Sequence, residues 1–134
     1  MIDITEKDFS IEELMQRAGG EDVGAVVAFL GTVRDDGIQT LELESYKEAA
    51  LAELEAIERE AMSRFNLKSV EIVHRIGPLS VGEKIALIVC GAPHRKEAFE
   101  GCSYILEELK SRAPFWKKEI REDGERWVGM RPSF

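Results

Sequence analysis

The hydrophobic pattern of this chain changes period along its length, and that change limits the fold more than any single motif. From Val23 to Val33 the chain is dense in valine and other apolar residues, as in a strand buried on both faces. After a turn at Asp35-Asp36-Gly37, Leu41 to Tyr46 alternates apolar and polar residues, the period of a strand with one wet face. Then Leu51, Leu54, Ile57, Ala61 and Phe65 recur at helical spacing, with Glu53, Glu55, Glu58 and Glu60 off the stripe. An amphipathic helix of this kind must lay its stripe on a sheet. A strand through Val70 and Ile72 follows, then the turn-rich stretch Gly77-Pro78-Leu79-Ser80-Val81-Gly82 and an apolar strand running to Cys90. Pro93 precedes a second long helix whose apolar face is Ala98, Cys102, Ile105, Leu106 and Leu109, and Pro114 bars its undistorted continuation. Nearer the start, Ser10-Ile11-Glu12-Glu13 fits a capping box opening a short helix that Gly19-Gly20 ends. Asp123-Gly124 marks a turn before an extended piece around Trp127-Val128. Strands and helices mix without strict alternation, so the expected class is α+β, a mixed or antiparallel sheet with two long helices.

The chain has 134 residues, with no repeat, linker or low-complexity tract, so we expect one domain spanning residues 1–134. The opening Met1-Ile2-Asp3-Ile4-Thr5-Glu6 lacks the basic flank and apolar run of a secretory leader. The apolar runs 23–30 and 85–90 are too short to span a bilayer, so no membrane role is expected. Cys90 and Cys102 show no CxxC spacing, which fits a reduced, cytoplasmic setting. Two cysteines and two histidines scattered singly argue against structural zinc, and no metal or cofactor is expected. A net charge of −8 argues against nucleic-acid binding. The charge is uneven, however: Leu109–Lys118 reads L-K-S-R-A-P-F-W-K-K, with four cations and no acid, which suits a local anionic ligand or a solvated face.

Three groups of residues can carry chemistry. His94-Arg95-Lys96 stands at the start of the second long helix, where the dipole disfavours cations but free N–H groups favour an anion. Lys110 falls in the last turn of that helix and Lys117 just past the Pro114 break, so a chain reversal can bring both ammonium groups to one pocket. Clustered cations, and burial beside Phe115 and Trp116, would lower a lysine pKa toward the range useful for proton transfer. Arg34 ends the first buried strand in F-L-G-T-V-R, at a position where rigid scaffolds present functional side chains, and Gly31 leaves room for a ligand to approach the backbone. Cys90 and Cys102 lie on apolar stretches and read as small core residues rather than sulfur carriers.

Four motifs occur in order: F-L-G-T-V-R (Phe29–Arg34), H-R-I-G-P-L (His74–Leu79) with Gly82-Glu83, P-H-R-K-E-A-F (Pro93–Phe99), and L-K-S-R-A-P-F-W-K-K-E (Leu109–Glu119). Together they closely resemble the molybdopterin synthase large-subunit family, from about Val23 to Trp127. The resemblance implies an α+β fold with a hammerhead-like part, and a homodimer carrying one small ubiquitin-like subunit at each end, a heterotetramer in all. That small subunit ends in a Gly-Gly thiocarboxylate, which would thread into a pocket on this chain. It implies cyclic pyranopterin monophosphate as substrate and molybdopterin as product. It matches the essential lysines to Lys110 and Lys117, and substrate anchors to Thr32, Val33, Arg34, His94, Arg95, Lys118 and Glu119, with an arginine near the C-terminus at Arg131. The turn between Arg34 and Leu41 is short for the family, and Ser45 replaces a larger residue. The rival expectation is a non-catalytic module that binds a phosphorylated heterocycle or a ubiquitin-like tail; a structural dimerisation domain would leave the basic stretch unexplained.

Overall fold

The computed structural model describes residues 1–128. Its elements run β1 (Ile2–Thr5), α1 (Ile11–Ala18), β2 (Ala25–Thr32), β3 (Thr40–Ser45), α2 (Lys47–Phe65), β4 (Ser69–Arg75), β5 (Gly77–Leu79), β6 (Lys84–Ala92), α3 (Arg95–Arg112), β7 (Phe115–Arg121) and β8 (Gly124–Val128). The class is α+β, as expected, but the strands divide into two four-stranded sheets rather than one. The first has the order β1-β4-β6-β2, with β1 parallel to β4; the second, β5-β3-β7-β8, is antiparallel throughout.

The helix boundaries follow from local chemistry. Ser10 accepts a hydrogen bond from the Glu13 amide at 3.2 Å and starts α1. Asn66 ends α2 in the left-handed conformation, φ 54°, which asparagine tolerates better than most residues. Ala113 stands before Pro114 in extended conformation, so α3 stops there.

Helices α2 and α3 cover one face of the first sheet, burying Leu54, Ile57, Ile105 and Leu109 against Ile72 and Ile88. Helix α1 covers the other face through Leu14 and Ala18, packed on Val73, Leu87 and Val89. A third cluster, Val33, Leu41, Leu43, Leu79, Ile85 and Ala86, joins the two sheets. Ile85 and Ala86 are consecutive, yet both enter this seam. The β2–β6 ladder shows why: Gly31 opposes Ala86 but Thr32 opposes Lys84, leaving Ile85 as an extra residue. A bulge turns neighbouring side chains to one side where regular pleating would alternate them.

Three strands escaped the sequence reading: β1, β5 and β7. The first two are short, and their place in the fold comes from long-range pairing with β4 and β3. Strand β7 is hidden for a different reason, because its inward face carries Lys117 and Glu119 where alternation leads one to expect apolar side chains.

Gly91 lies in the buried strand β6 beside the hydrogen bond from the Ser69 hydroxyl to the Ala18 carbonyl, 2.7 Å, which docks the end of α1 on the sheet. A methyl group at position 91 would collide with both atoms. Gly91→Ala should therefore destabilise the fold by about 2 kcal/mol, read as a lower urea midpoint. A midpoint equal to wild type would mean that α1 does not dock this closely.

Candidate active site

At the seam, the end of β2 and the inward face of β7 enclose a cavity of about 270 Å³. Phe29 to Arg34, with Asp36 and Ile38, form one side; Lys117 and Glu119 form the other, and Leu41 and Ile85 complete the lining. Lys117 opposes Leu43 and Glu119 opposes Leu41 in the β3–β7 ladder. Opposed residues of a ladder share a face, so both charged side chains lie on the face that Leu41 and Leu43 turn to the seam core. The lysine is only 5% exposed.

The electrostatics isolate that lysine. Glu119 accepts from Arg121 at 2.9 Å and Arg126 at 3.1 Å, and these guanidinium groups, Arg121 foremost, hold its carboxyl below the usual range. Asp36 pairs with Arg34 at 2.6 Å. With both nearby acids taken by arginines, no carboxylate among the described residues forms an ion pair with Lys117. Burial is the largest influence on Lys117 and lowers its pKa; Glu119 raises it, Arg34 lowers it further, and Asp36 opposes weakly. Arg34 itself is well exposed, so its pairing with Asp36 is a weak contact that an incoming anion can replace.

A family model described as MoaE protein matches residues 4–112. The chain belongs to the MoaE family. The molybdopterin synthase catalytic subunit of Pyrococcus abyssi is 44% identical over 126 residues, covering 91% of this chain and 85% of the relative. The crystal structure of molybdopterin synthase from Staphylococcus aureus superposes with a TM-score of 0.89 at 38% identity, covering 94% of this chain and 95% of that one. The MoaE protein of Burkholderia ambifaria superposes with a TM-score of 0.86 at 40% identity, over 99% and 91% of the two chains.

Within this MoaE chain, the structure gathers some of the expected site residues and separates others. Thr32, Val33, Arg34, Lys117 and Glu119 line the cavity. Lys118 does not, because strand alternation turns it outward, where it pairs with Glu42 at 3.2 Å and Glu125 at 3.4 Å. Lys110 is half-buried in the last turn of α3, next to the core-facing Leu109, and is absent from the cavity lining. The low pKa of Lys117 thus owes nothing to Lys110; burial and Arg34 produce it. His94 caps α3 without a side-chain hydrogen bond to it, and His94 and Arg95 are exposed and away from the lining. Arg131 lies outside the described residues. The basic stretch is therefore not one surface: its Arg112 instead binds Glu60 and Glu53 of α2, at 2.7 and 3.1 Å.

Sequence reading missed Asp36, Arg121 and Arg126. A two-residue period through Lys117, Glu119 and Arg121 was the available signal. Both cysteines are buried and unbridged. The adjoining Cys102 thiol, together with burial, pushes the Cys90 thiol far above its ordinary range, which suits packing rather than nucleophilic attack. Among the described residues no helix is long and apolar enough to cross a membrane.

A buried charged lysine is a burden on the fold. Its pKa is lowered from the ordinary 10.5, so between the two values the unfolded chain holds more protons. Stability should rise as pH climbs through that window, and below the lowered pKa the cost of burying the charge is present in full. Lys117→Met should consequently stabilise the protein by about 1 kcal/mol at pH 7, and this advantage should shrink toward pH 10.5. Urea titrations at several pH values test both statements; a destabilised methionine variant would show that the ammonium is well solvated.

Proposed function

We propose that the cavity around Lys117 is where this MoaE enzyme converts cyclic pyranopterin monophosphate to molybdopterin. The carrying observation is a buried lysine, unpaired with any described carboxylate, facing an exposed arginine across one cavity. Arg34 supplies a planar guanidinium suited to phosphate oxygens. Lys117, its pKa lowered chiefly by burial, gives up a proton more readily than a solvated lysine and can serve as acid and base. Thr32 and the backbone around Gly31 form the rim along which an extended peptide can lie.

The sulfur arrives on the C-terminal thiocarboxylate of a small ubiquitin-like subunit, so this chain needs no thiol of its own. Each thiocarboxylate sulfur attacks a pterin side-chain carbon and displaces the oxygen that carbon carries. That oxygen is either the cyclic phosphate ester oxygen, which opens the ring, or a hydroxyl, which takes a proton and leaves as water. Carrier and substrate are then joined through an acyl–sulfur bond. Water then breaks the acyl–sulfur bond, which leaves the sulfur on the product and a carboxylate on the carrier. A second loaded carrier repeats the sequence. Lys117 serves the proton transfers, and Lys110 stabilises developing charge once the tail is bound. His94, Arg95, Lys118 and Arg131 remain proposed substrate contacts, with the homodimer as the assembly in which residues outside one chain's cavity can complete it. The heterotetramer works in the cytoplasm, where two unbridged thiols stay reduced.

A non-catalytic binding module would use the same arginine but has no use for a buried lysine with a lowered pKa. Mixing the protein with thiocarboxylated small subunit and cyclic substrate should yield, by mass spectrometry, a pterin carrying two sulfurs. Lys117→Ala and Lys117→Arg should both lose roughly a hundredfold or more in turnover, because arginine keeps the charge but cannot readily release a proton. Substrate affinity should change little in the arginine variant. An arginine variant within a few-fold of wild type would reduce Lys117 to an electrostatic anchor.

The cysteines give a separate check. Cys90→Ala and Cys102→Ala should each cost on the order of 1 kcal/mol of stability and leave turnover per folded molecule intact. A persulfide on either residue, with activity lost on its removal, would contradict the carrier-borne sulfur.

A further inference from the structure

His74 and Arg75 end β4 side by side, both almost fully buried and neither lining the cavity. Burying two such polar side chains is costly unless each is well engaged, and the mechanism above uses neither. Successive strand residues point to opposite faces, and here each side chain leads to one wall of the cavity.

His74 lies on the face of the helices. Its ring stacks on Phe115, with centroids 3.7 Å apart and planes 11° from parallel, and its Nδ1–H donates to the Arg75 carbonyl at 2.8 Å. Phe115 is the first residue of β7 and is 1% exposed. The next side chain on the same face of that strand is Lys117. The stack therefore sets where β7 sits over the first sheet, immediately before the lysine.

Arg75 lies on the opposite face. Its guanidinium donates to Glu83 Oε1 at 3.2 Å and to the Glu6 carbonyl at 3.0 Å. The other Glu83 oxygen accepts from the Ser80 amide at 2.6 Å. This pins the Ser80–Glu83 turn, in which Gly82 adopts φ 90°, a value suited to glycine. The pinned turn meets Val33 twice: the Val33 amide donates to the Glu83 carbonyl at 3.0 Å, and the Gly82 amide donates to the Val33 carbonyl at 2.7 Å. Thr32 and Arg34 flank Val33 at the rim.

We infer that His74 and Arg75 are positioning residues that set the two walls of the cavity, the Lys117 wall through Phe115 and the Arg34 wall through Glu83 and Val33. The inference rests on reading the cavity as the active site, but its first test does not require turnover. In the free protein, the Lys117 Cε resonance, assigned by its loss in Lys117→Met, reports that lysine's titration. His74→Leu, which removes the stack, should move the midpoint by about half a pH unit or more; His74→Phe, which keeps a stacked ring, should restore it. Glu83→Gln keeps the contact to Ser80 but loses the ion pair with Arg75. It should leave the Lys117 midpoint in place and raise KM for the cyclic substrate by about tenfold with kcat nearly unchanged.

Identical titration and turnover in His74→Leu and His74→Phe would reduce the stack to ordinary packing. An unchanged KM in Glu83→Gln would break the Arg34 branch. The Glu83 carboxylate is 42% exposed, so that variant should fold and decide its branch even where His74→Leu does not. Wild-type protein without synthase turnover would sink the functional reading instead, while a shifted Lys117 titration in His74→Leu would still support the positioning.

Discussion

Everything in this fold hangs on β6 being buried along both faces. One face takes the apolar stripes of α2 and α3, the other takes α1, and its first residues reach into the seam with the second sheet. A strand in that position has no wet side on which to place polar groups, which is why it reads as a continuous apolar run. The second sheet has no helix layer among the described elements. It is held to the first by the six-residue seam cluster, by its chain connections and by the His74–Phe115 stack. The cavity lies at that joint, where two sheets meet without filling the space between them.

The parts of the structure legible in the sequence are those in which hydrophobic burial is the whole explanation. Both long helices, the capped α1, and strands β2, β3 and β6 follow from period and punctuation alone. Strand β7 does not, since the charged Lys117 and Glu119 occupy inward positions and break the alternation that would have revealed the strand. Lys118 follows Lys117 in the motif, but a pleated strand puts neighbours on opposite sides, so the two do not share the cavity wall. Lys110 and Lys117 flank one chain break, but only Lys117, on the inward face of a strand, lines the cavity; Lys110 stands in the last turn of a helix. The HRIGPL run was recognisable as a motif, yet its physical content, a stacked ring and a pinned turn, needed the third dimension.

The chain is acidic overall, with a formal charge of −8, yet the acids nearest Lys117 are neutralised by three arginines. Arg34, Arg121 and Arg126 thus do two things at once. They keep carboxylates from forming an ion pair with the lysine, and they leave positive charge around a cavity in a protein that would otherwise repel anions. Arg121 also donates to the Asp36 carbonyl at 2.8 Å, tying the loop after β2 to the far strand of the site.

The extra residue at Ile85 sets a rule about chain length rather than residue type. Because Ile85 has no opposite number in β2, Lys84 returns to the α1 face, where it meets Asp8 at 3.1 Å, while Ile85 and Ala86 both fill the seam. A one-residue change of length here would slip the ladder and exchange the faces of the residues before it. The Gly82–Glu83 turn would then no longer meet Val33. The exposed loop between Val33 and Thr40 carries no such register, and variation in length belongs there. Homologous chains can be expected to differ in size around the mouth of the cavity while keeping a fixed count of residues from the turn to the seam.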